Sequence, residues 1–265
     1  MFMTATVYSG MLRYLKRRSG RIARFRWKRA MVWFSVLAVG GFFLLNGIYQ
    51  VIRKPGELFA PVSASFSKSP EFTWQSYGLL FEEHSTNIVS AEFLAALAQV
   101  ESDGNPIART YWRWQWSWNP FEIYRPASSA LGMFQFTDGT FVEARKYCIR
   151  DHKVAADGPW YDVHSCWFNS FYTRTIPSHA TEMTAAYLHQ SVVELLDARP
   201  VARISMAQKQ KLAAVIHLCG VKRGETFVRR GFLLARGERC GTQSVHHYLN
   251  KIDLMKKRFG RLRIA

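Results

Sequence analysis

The chain has 265 residues, 15% of them aromatic, and a formal net charge of +17. That length accommodates a membrane anchor and one domain with its own core, and the aromatic content excludes a disordered chain. Of its 36 Lys and Arg, 11 fall in residues 1–54 beside no acid, leaving 25 basic against 19 acidic residues beyond, so the excess belongs to one end and argues against a nucleic-acid partner.

The N-terminal elements read as a membrane tether. Residues 1–29 form a basic segment that includes Arg13, Lys16, Arg17, Arg18, Arg21, Arg24, Arg26, Lys28 and Arg29. Residues 30–52, Ala30 to Ile52, carry no charge and only Ser35, Asn46 and Gln50 as strongly polar members. As a helix this stretch reaches roughly 30 Å or slightly more, enough to cross a bilayer core. It is longer than the apolar core of a cleaved signal peptide, despite small residues at 61–65. The basic flank predicts a cytoplasmic N-terminus and an exported remainder, a bacterial inner-membrane topology with a periplasmic domain. Trp27 and Trp33 at one end and Tyr49 at the other suit the interfaces. Residues 53–70, rich in Pro, Ser and Gly, read as a linker.

From 71 to 265 the signals are mainly helical. Ser90 is placed to cap a helix through Phe93, Leu94, Leu97 and Val100 to Glu101, which "DGNP" ends. Thr140 and Glu143 have capping-box spacing and predict a helix toward Arg150. Apolar spacing from Met183 through Tyr187 and Val192 to Leu196 predicts another, stopped by Pro200. A further helix ends at Gly220, and a terminal one starts near Ser244. Cys148, Cys166, Cys219 and Cys240 all lie in the exported part, where disulfides form. Three connectivities are open; nearness in the chain favours 148 with 166 and 219 with 240. His164 beside Cys166 lacks a second ligand pair for zinc.

Glu101 is the residue that asks for a role. A glutamate in the last turn of a helix sits at the negative end of the dipole and gains nothing there. At the edge of a cleft, apolar surroundings raise a carboxyl's pKa from its ordinary value of about 4.3 and make it an acid for glycosidic oxygen. Ser102 follows it directly. Next in order come Gly132, Met133, Phe134 and Gln135, then "AAYL" with Tyr187, then "LAAVIHLCG" with His217. In this ordered set Gly132 allows a polymer close to the backbone, and Gln135 offers an amide to it.

This set, over residues 87–225, resembles the soluble lytic transglycosylase family, relatives of goose-type lysozyme that cleave peptidoglycan glycan strands. The resemblance implies a mainly α, lysozyme-like domain behind the single N-terminal transmembrane helix, with Glu101 as the lone acid and base and neither metal nor organic cofactor. It implies attack by the 6-hydroxyl of N-acetylmuramic acid on its own anomeric carbon, leaving a 1,6-anhydro end. Substrate contacts are expected from Ser102, Gly132, Met133, Phe134, Gln135, Tyr187 and His217. His217 and Leu218 stand where the family has Tyr-Asn, so the expected tyrosine beside the carboxylate is replaced. The 31 positions from Glu101 to Gly132 exceed the family spacing. The extra chain, about 107–128, is Trp-rich, and Trp114, Trp116 and Tyr124 offer aromatic faces to sugars, with Arg113 and Arg125 placed to meet carboxylates. Service to an envelope-spanning secretion or conjugation apparatus is a further expectation. The rivals are a hydrolytic muramidase, which needs a second carboxylate, and a catalytically lapsed peptidoglycan-binding scaffold.

Overall fold

The computed structural model describes residues 4–162, 165–198 and 204–264, with side chains from Trp27 onward. The side chains of Arg13 through Arg26, and His164 and Pro200 altogether, lie outside the described residues. The chain divides into two compact units, residues 1–55 with 114–125, and residues 56–113 with 126–265.

The first unit is built on helix α1, Thr4–Arg53. The basic segment and the apolar stretch are thus one continuous helix, and Trp27–Arg53 is long and apolar enough to cross a membrane. Residues 114–125 pack along the C-terminal turns of α1. The Phe121 carbonyl accepts hydrogen bonds from Asn46 Nδ2 at 3.0 Å and Gln50 Nε2 at 2.6 Å, so two polar groups of the apolar stretch are buried with a partner. Tyr49 stacks on Phe121 at 5.2 Å between ring centroids, and Phe43 meets Trp114 and Tyr124 edge-on at 6.2 and 5.9 Å. Glu122 binds Arg53 and, at 2.6 Å, Arg125.

The second unit begins inside the expected linker. Residues 53–70 carry two 3-10 turns, Pro55–Phe59 and Ser63–Phe66, instead of an open tether. Buried Glu57 accepts from Arg109 at 3.0 Å and Trp112 Nε1 at 2.7 Å, while Ser63 exchanges hydrogen bonds with Ile107 and Asn105. Polar pairing, which apolar periodicity does not register, fixes this segment from Gly56 onward.

Helices α2 (Pro70–Glu83) and α3 (Ala91–Ser102) follow. Ser90 caps α3 through Phe93 N–H, as expected, and Asp103 closes it in the left-handed conformation at φ 53°. Ala91, Phe93, Leu94, Ala95, Ala96, Leu97 and Ala98 are all buried; each large apolar side chain contributes about 1.5–3 kcal/mol of burial. Short strands β1 (Trp112–Trp114) and β2 (Tyr124–Pro126) pair. Helix α4 is Asp138–Ala144, capped by Thr137 and not Thr140. It stops before Arg150 because β3 (Tyr147–Arg150) pairs antiparallel with β4 (Lys153–Ala156), Cys148 opposite Ala155. Helices α5 (Pro177–Asp197), α6 (Met206–Cys219) and α7 (Val221–Arg229), the β5–β6 hairpin (Arg239–Cys240, Gln243–Ser244) and α8 (Val245–Ile264) complete the unit. Both disulfides follow nearness in the chain, Cys148–Cys166 and Cys219–Cys240, each with a Cα separation of 5.5 Å. Cys166 is therefore no thiolate ligand for zinc.

Candidate active site

The end of α3 delivers Glu101 to the wall of a cavity of about 730 Å³ within the second unit. The Glu101 side chain is 12% exposed. Its Oε1 accepts a hydrogen bond from the Tyr248 hydroxyl of α8 at 2.5 Å, and His217 Nε2 of α6 lies 3.5 Å from the same oxygen. Among the described residues no hydrogen bond reaches Oε2, which leaves that oxygen to the cavity.

Burial pushes the Glu101 pKa up, but the hydrogen bond and charge of His217 and the hydrogen bond of Tyr248 outweigh it, so the carboxyl is held below its ordinary value. This corrects the expectation of a raised pKa. The apolar surroundings are present; the two donors on one oxygen were not foreseen. The downward pull of His217 as a charge exists only while its ring is protonated. Tyr248 is fully buried, and burial followed by the neighbouring carboxylate pushes its phenol well above the usual range, so it remains a donor.

Among the described residues Glu101 is the one carboxylate lining the cavity, whose lining also includes Arg113, Arg223 and Arg239. Glu122, Asp138 and Glu143 are not among the lining residues and are paired with bases, Glu122 with Arg53 and Arg125, Asp138 with Arg174 and Glu143 with Lys146. Cys219 and Cys240 also line the cavity, so their disulfide pins the end of α6 to the β5–β6 hairpin at the site.

The remaining expected residues divide sharply. Gln135 lines the cavity, but its Nε2 donates to the Ala108 and Gly132 carbonyls at 3.0 and 2.9 Å, which braces the loop and leaves only Oε1 for a substrate donor. Ser102 faces the protein. Its hydroxyl lies 2.7 Å from the Met133 carbonyl and accepts Asn105 N–H at 3.2 Å, tying α3 to the loop that carries Gln135. Gly132 has φ +87°, and a Cβ there would lie 2.0 Å from the Arg174 carbonyl. Its smallness serves a backbone approach within the protein, not a polymer.

Met133 and Phe134 are buried in the core rather than presented to substrate, since the loop turns both side chains into the main hydrophobic cluster. Tyr187 does not line the cavity; its ring packs on Phe136, 6.4 Å between centroids, and Phe136 in turn flanks His217 at 6.0 Å. It thus acts behind the site. Trp114, Trp116 and Tyr124 belong to the unit built on α1 and are not among the cavity residues. Arg125, spent on Glu122 and Gln115, is there too.

Tyr248 was missed in the sequence. The available signal was a tyrosine on the buried face of the terminal helix, in register with Val245, Leu249 and Ile252; a buried phenol requires a partner.

Residues 78–206 match the family model of the transglycosylase SLT domain. The mainly helical unit is therefore lysozyme-like, and the family is that of the lytic transglycosylases of peptidoglycan. No curated protein matches the chain. The matched stretch contains Glu101 and Gln135 but ends before His217 and Tyr248, so both groups on the carboxylate come from helices beyond it.

Proposed function

We propose that a chain carrying a transglycosylase SLT domain works here as a membrane-anchored enzyme that cuts the bond after N-acetylmuramic acid and leaves 1,6-anhydro ends. The observation that supports this best is the solitary carboxylate. A retaining hydrolase places a second carboxyl about 5–5.5 Å from the first and an inverting one about 6.5–9.5 Å away, whereas Glu101 is the single acid lining its cavity.

The donors on Oε1 hold the carboxyl below its ordinary value in the open cavity. A glycan that covers the cavity excludes water, and desolvation disfavours the carboxylate, so Glu101 takes up a solvent proton on Oε2 as the glycan binds. Glu101 passes that proton to the leaving glycosidic oxygen. The resulting carboxylate takes the proton of the muramyl 6-hydroxyl as that oxygen attacks the anomeric carbon, so Glu101 is again protonated, as it was when the glycosidic bond began to break, and releases that proton when the product leaves. Tyr248 holds Oε1 throughout. Arg113, Arg223 and Arg239 give the cavity a positive field that suits lactyl and stem-peptide carboxylates.

Anchoring through Trp27–Arg53, with the basic flank in the cytoplasm, sets the catalytic unit on the periplasmic side of the inner membrane. Local cutting from such an anchor suits assembly of a secretion or conjugation apparatus.

The test is digestion of purified sacculi by the full chain in detergent beside Glu101→Gln, with released muropeptides identified by mass spectrometry. Anhydromuramyl products from the unaltered chain, reduced about 10²–10⁴-fold in the variant, are expected. Reducing muramyl ends refute transglycosylation in favour of hydrolysis. Binding to sacculi without any soluble product refutes the enzyme and supports a scaffold.

A further inference from the structure

Residues 114–121, "WQWSWNPF", carry no charge, yet Trp116 is 84% and Trp118 93% exposed. Exposed indoles side by side on a soluble surface require an explanation, and the cavity of Glu101 does not use them. Their own unit supplies one.

The apolar part of α1 has 27 residues, which makes it about 40 Å long, against about 30 Å for a hydrocarbon core and 40–45 Å including both headgroup regions. Its last turns therefore extend into the headgroup zone. Those are the turns on which residues 114–125 are clamped, through Asn46 and Gln50 to the Phe121 carbonyl, Tyr49 to Phe121, and Arg53 to Glu122. The clamp withdraws the polar groups of the helix from lipid while Leu44, Leu45, Ile48 and Ile52 of the same turns stay exposed.

We propose that residues 114–121 form an interfacial anchor, with Trp116 and Trp118 seated in the headgroup and acyl boundary of the bilayer face from which α1 emerges. The inference rests on the reading of α1 as a membrane span. Tryptophan is the residue type that this boundary favours, because its ring is apolar and its N–H requires a polar neighbour. A glycan platform fits less well, since the two rings are nearly perpendicular, at 70° and 6.3 Å, and offer no common flat face. The clamp holds residues 114–125 on α1 within one unit, adding a second lipid contact to the single span.

The full chain in phosphatidylethanolamine–phosphatidylglycerol vesicles, with or without bromine in the acyl chains near the headgroups, tests this by tryptophan fluorescence. Trp27 and Trp33 report on the span, Trp116 and Trp118 on the insertion. Brominated lipid is expected to dim both the unaltered chain and the W27F/W33F variant, and the emission lost in W116F/W118F is expected to be a quenched, blue-shifted component. If the component lost in W116F/W118F is unquenched while that lost in W27F/W33F is quenched, the anchor is refuted and the span stands. If neither pair is quenched and alkaline carbonate strips the chain from vesicles, the span itself fails and carries the inference with it. Unquenched Trp116 and Trp118 together with weakened sacculus binding in W116A/W118A reassign the segment to glycan.

Discussion

The contact between Tyr248 and Glu101 admits a quantitative test. Tyr248→Phe removes one hydroxyl and keeps the ring, so packing around a fully buried side chain is unchanged and the hydrogen bond alone is lost. The bond is 2.5 Å long and ends on a carboxylate, and hydrogen bonds to ionised groups contribute about 1.5–3 kcal/mol net. Its shortness and the near-complete burial of both partners put the expected loss at about 2–3 kcal/mol at neutral pH.

The pH dependence separates this bond from a general packing effect. The folded Glu101 pKa lies below its ordinary value, so its ionised contacts contribute stability above the unfolded carboxyl pKa of about 4.3 and lose it as pH falls through the folded value. The cost of Tyr248→Phe is therefore expected to shrink on acidification toward about 0.5–1.5 kcal/mol, the range for neutral partners. Guanidinium unfolding of the full chain in detergent, followed by near-ultraviolet circular dichroism at several pH values, measures it. A cost below about 0.5 kcal/mol at neutral pH, or one that does not change with pH, would falsify an ionised Glu101 held by this phenol.

His217→Gln removes the charge and imidazole hydrogen bond that pull Glu101 down and leaves the burial that pushes it up; the pH profile of sacculus digestion is expected to shift to higher pH, and an unmoved profile refutes the pairing. Gly132→Ala meets both a positive φ and the Arg174 carbonyl, so a cost of at least about 1–3 kcal/mol is expected as a lowered Tm, and an unchanged Tm contradicts the close approach. Replacing Cys219 and Cys240 together by Ser opens a 21-residue separation and is expected to cost about 3 kcal/mol while raising KM for sacculi, because one wall of the cavity is released; unchanged KM shows that the hairpin holds without the bond. Ser102→Ala leaves the Met133 carbonyl without its hydroxyl donor, while Asn105 N–H keeps the Ser102 carbonyl; the orphaned carbonyl costs about 1–3 kcal/mol and is expected to lower Tm, and a KM defect at unchanged Tm would instead make Ser102 a substrate contact.

Each kind of sequence signal records a different reach of the chain. Caps, helix stops and apolar spacing are local, and Ser90, Gly220 and the buried face of α3 were legible because their partners lie within one turn of chain. The Thr140 expectation failed for a local reason too: Thr137 offers the same cap three residues earlier, and spacing to a glutamate cannot choose between them when the downstream segment is claimed by a strand and a disulfide. Residues 53–70 looked like a tether because what fixes them is Glu57 and Ser63 reaching residues 105–112, and a polar pair across some fifty positions leaves no periodicity.

The site divides along the same line. Glu101 was legible because a carboxylate at the wrong end of a helix is a local anomaly, and that anomaly survives in the structure as two donors brought to one oxygen. Ser102, Gly132, Met133 and Phe134 were recognised as belonging to the site's motifs and assigned the wrong work. The residue types that suit a loop touching sugar, small, apolar and hydroxyl-bearing, also suit a loop that must hold an acid in place. The hydroxyl on Met133, the glycine under Arg174 and the two buried side chains make that loop rigid, so Gln135 and Glu101 keep their places in the cavity wall. Tyr248 lies 147 positions from Glu101 in the chain. Only the packing of α8 against α3 makes them neighbours, and the chemistry of that contact is visible only once the helices meet, because neither helix carries a local signal of the other's polar group.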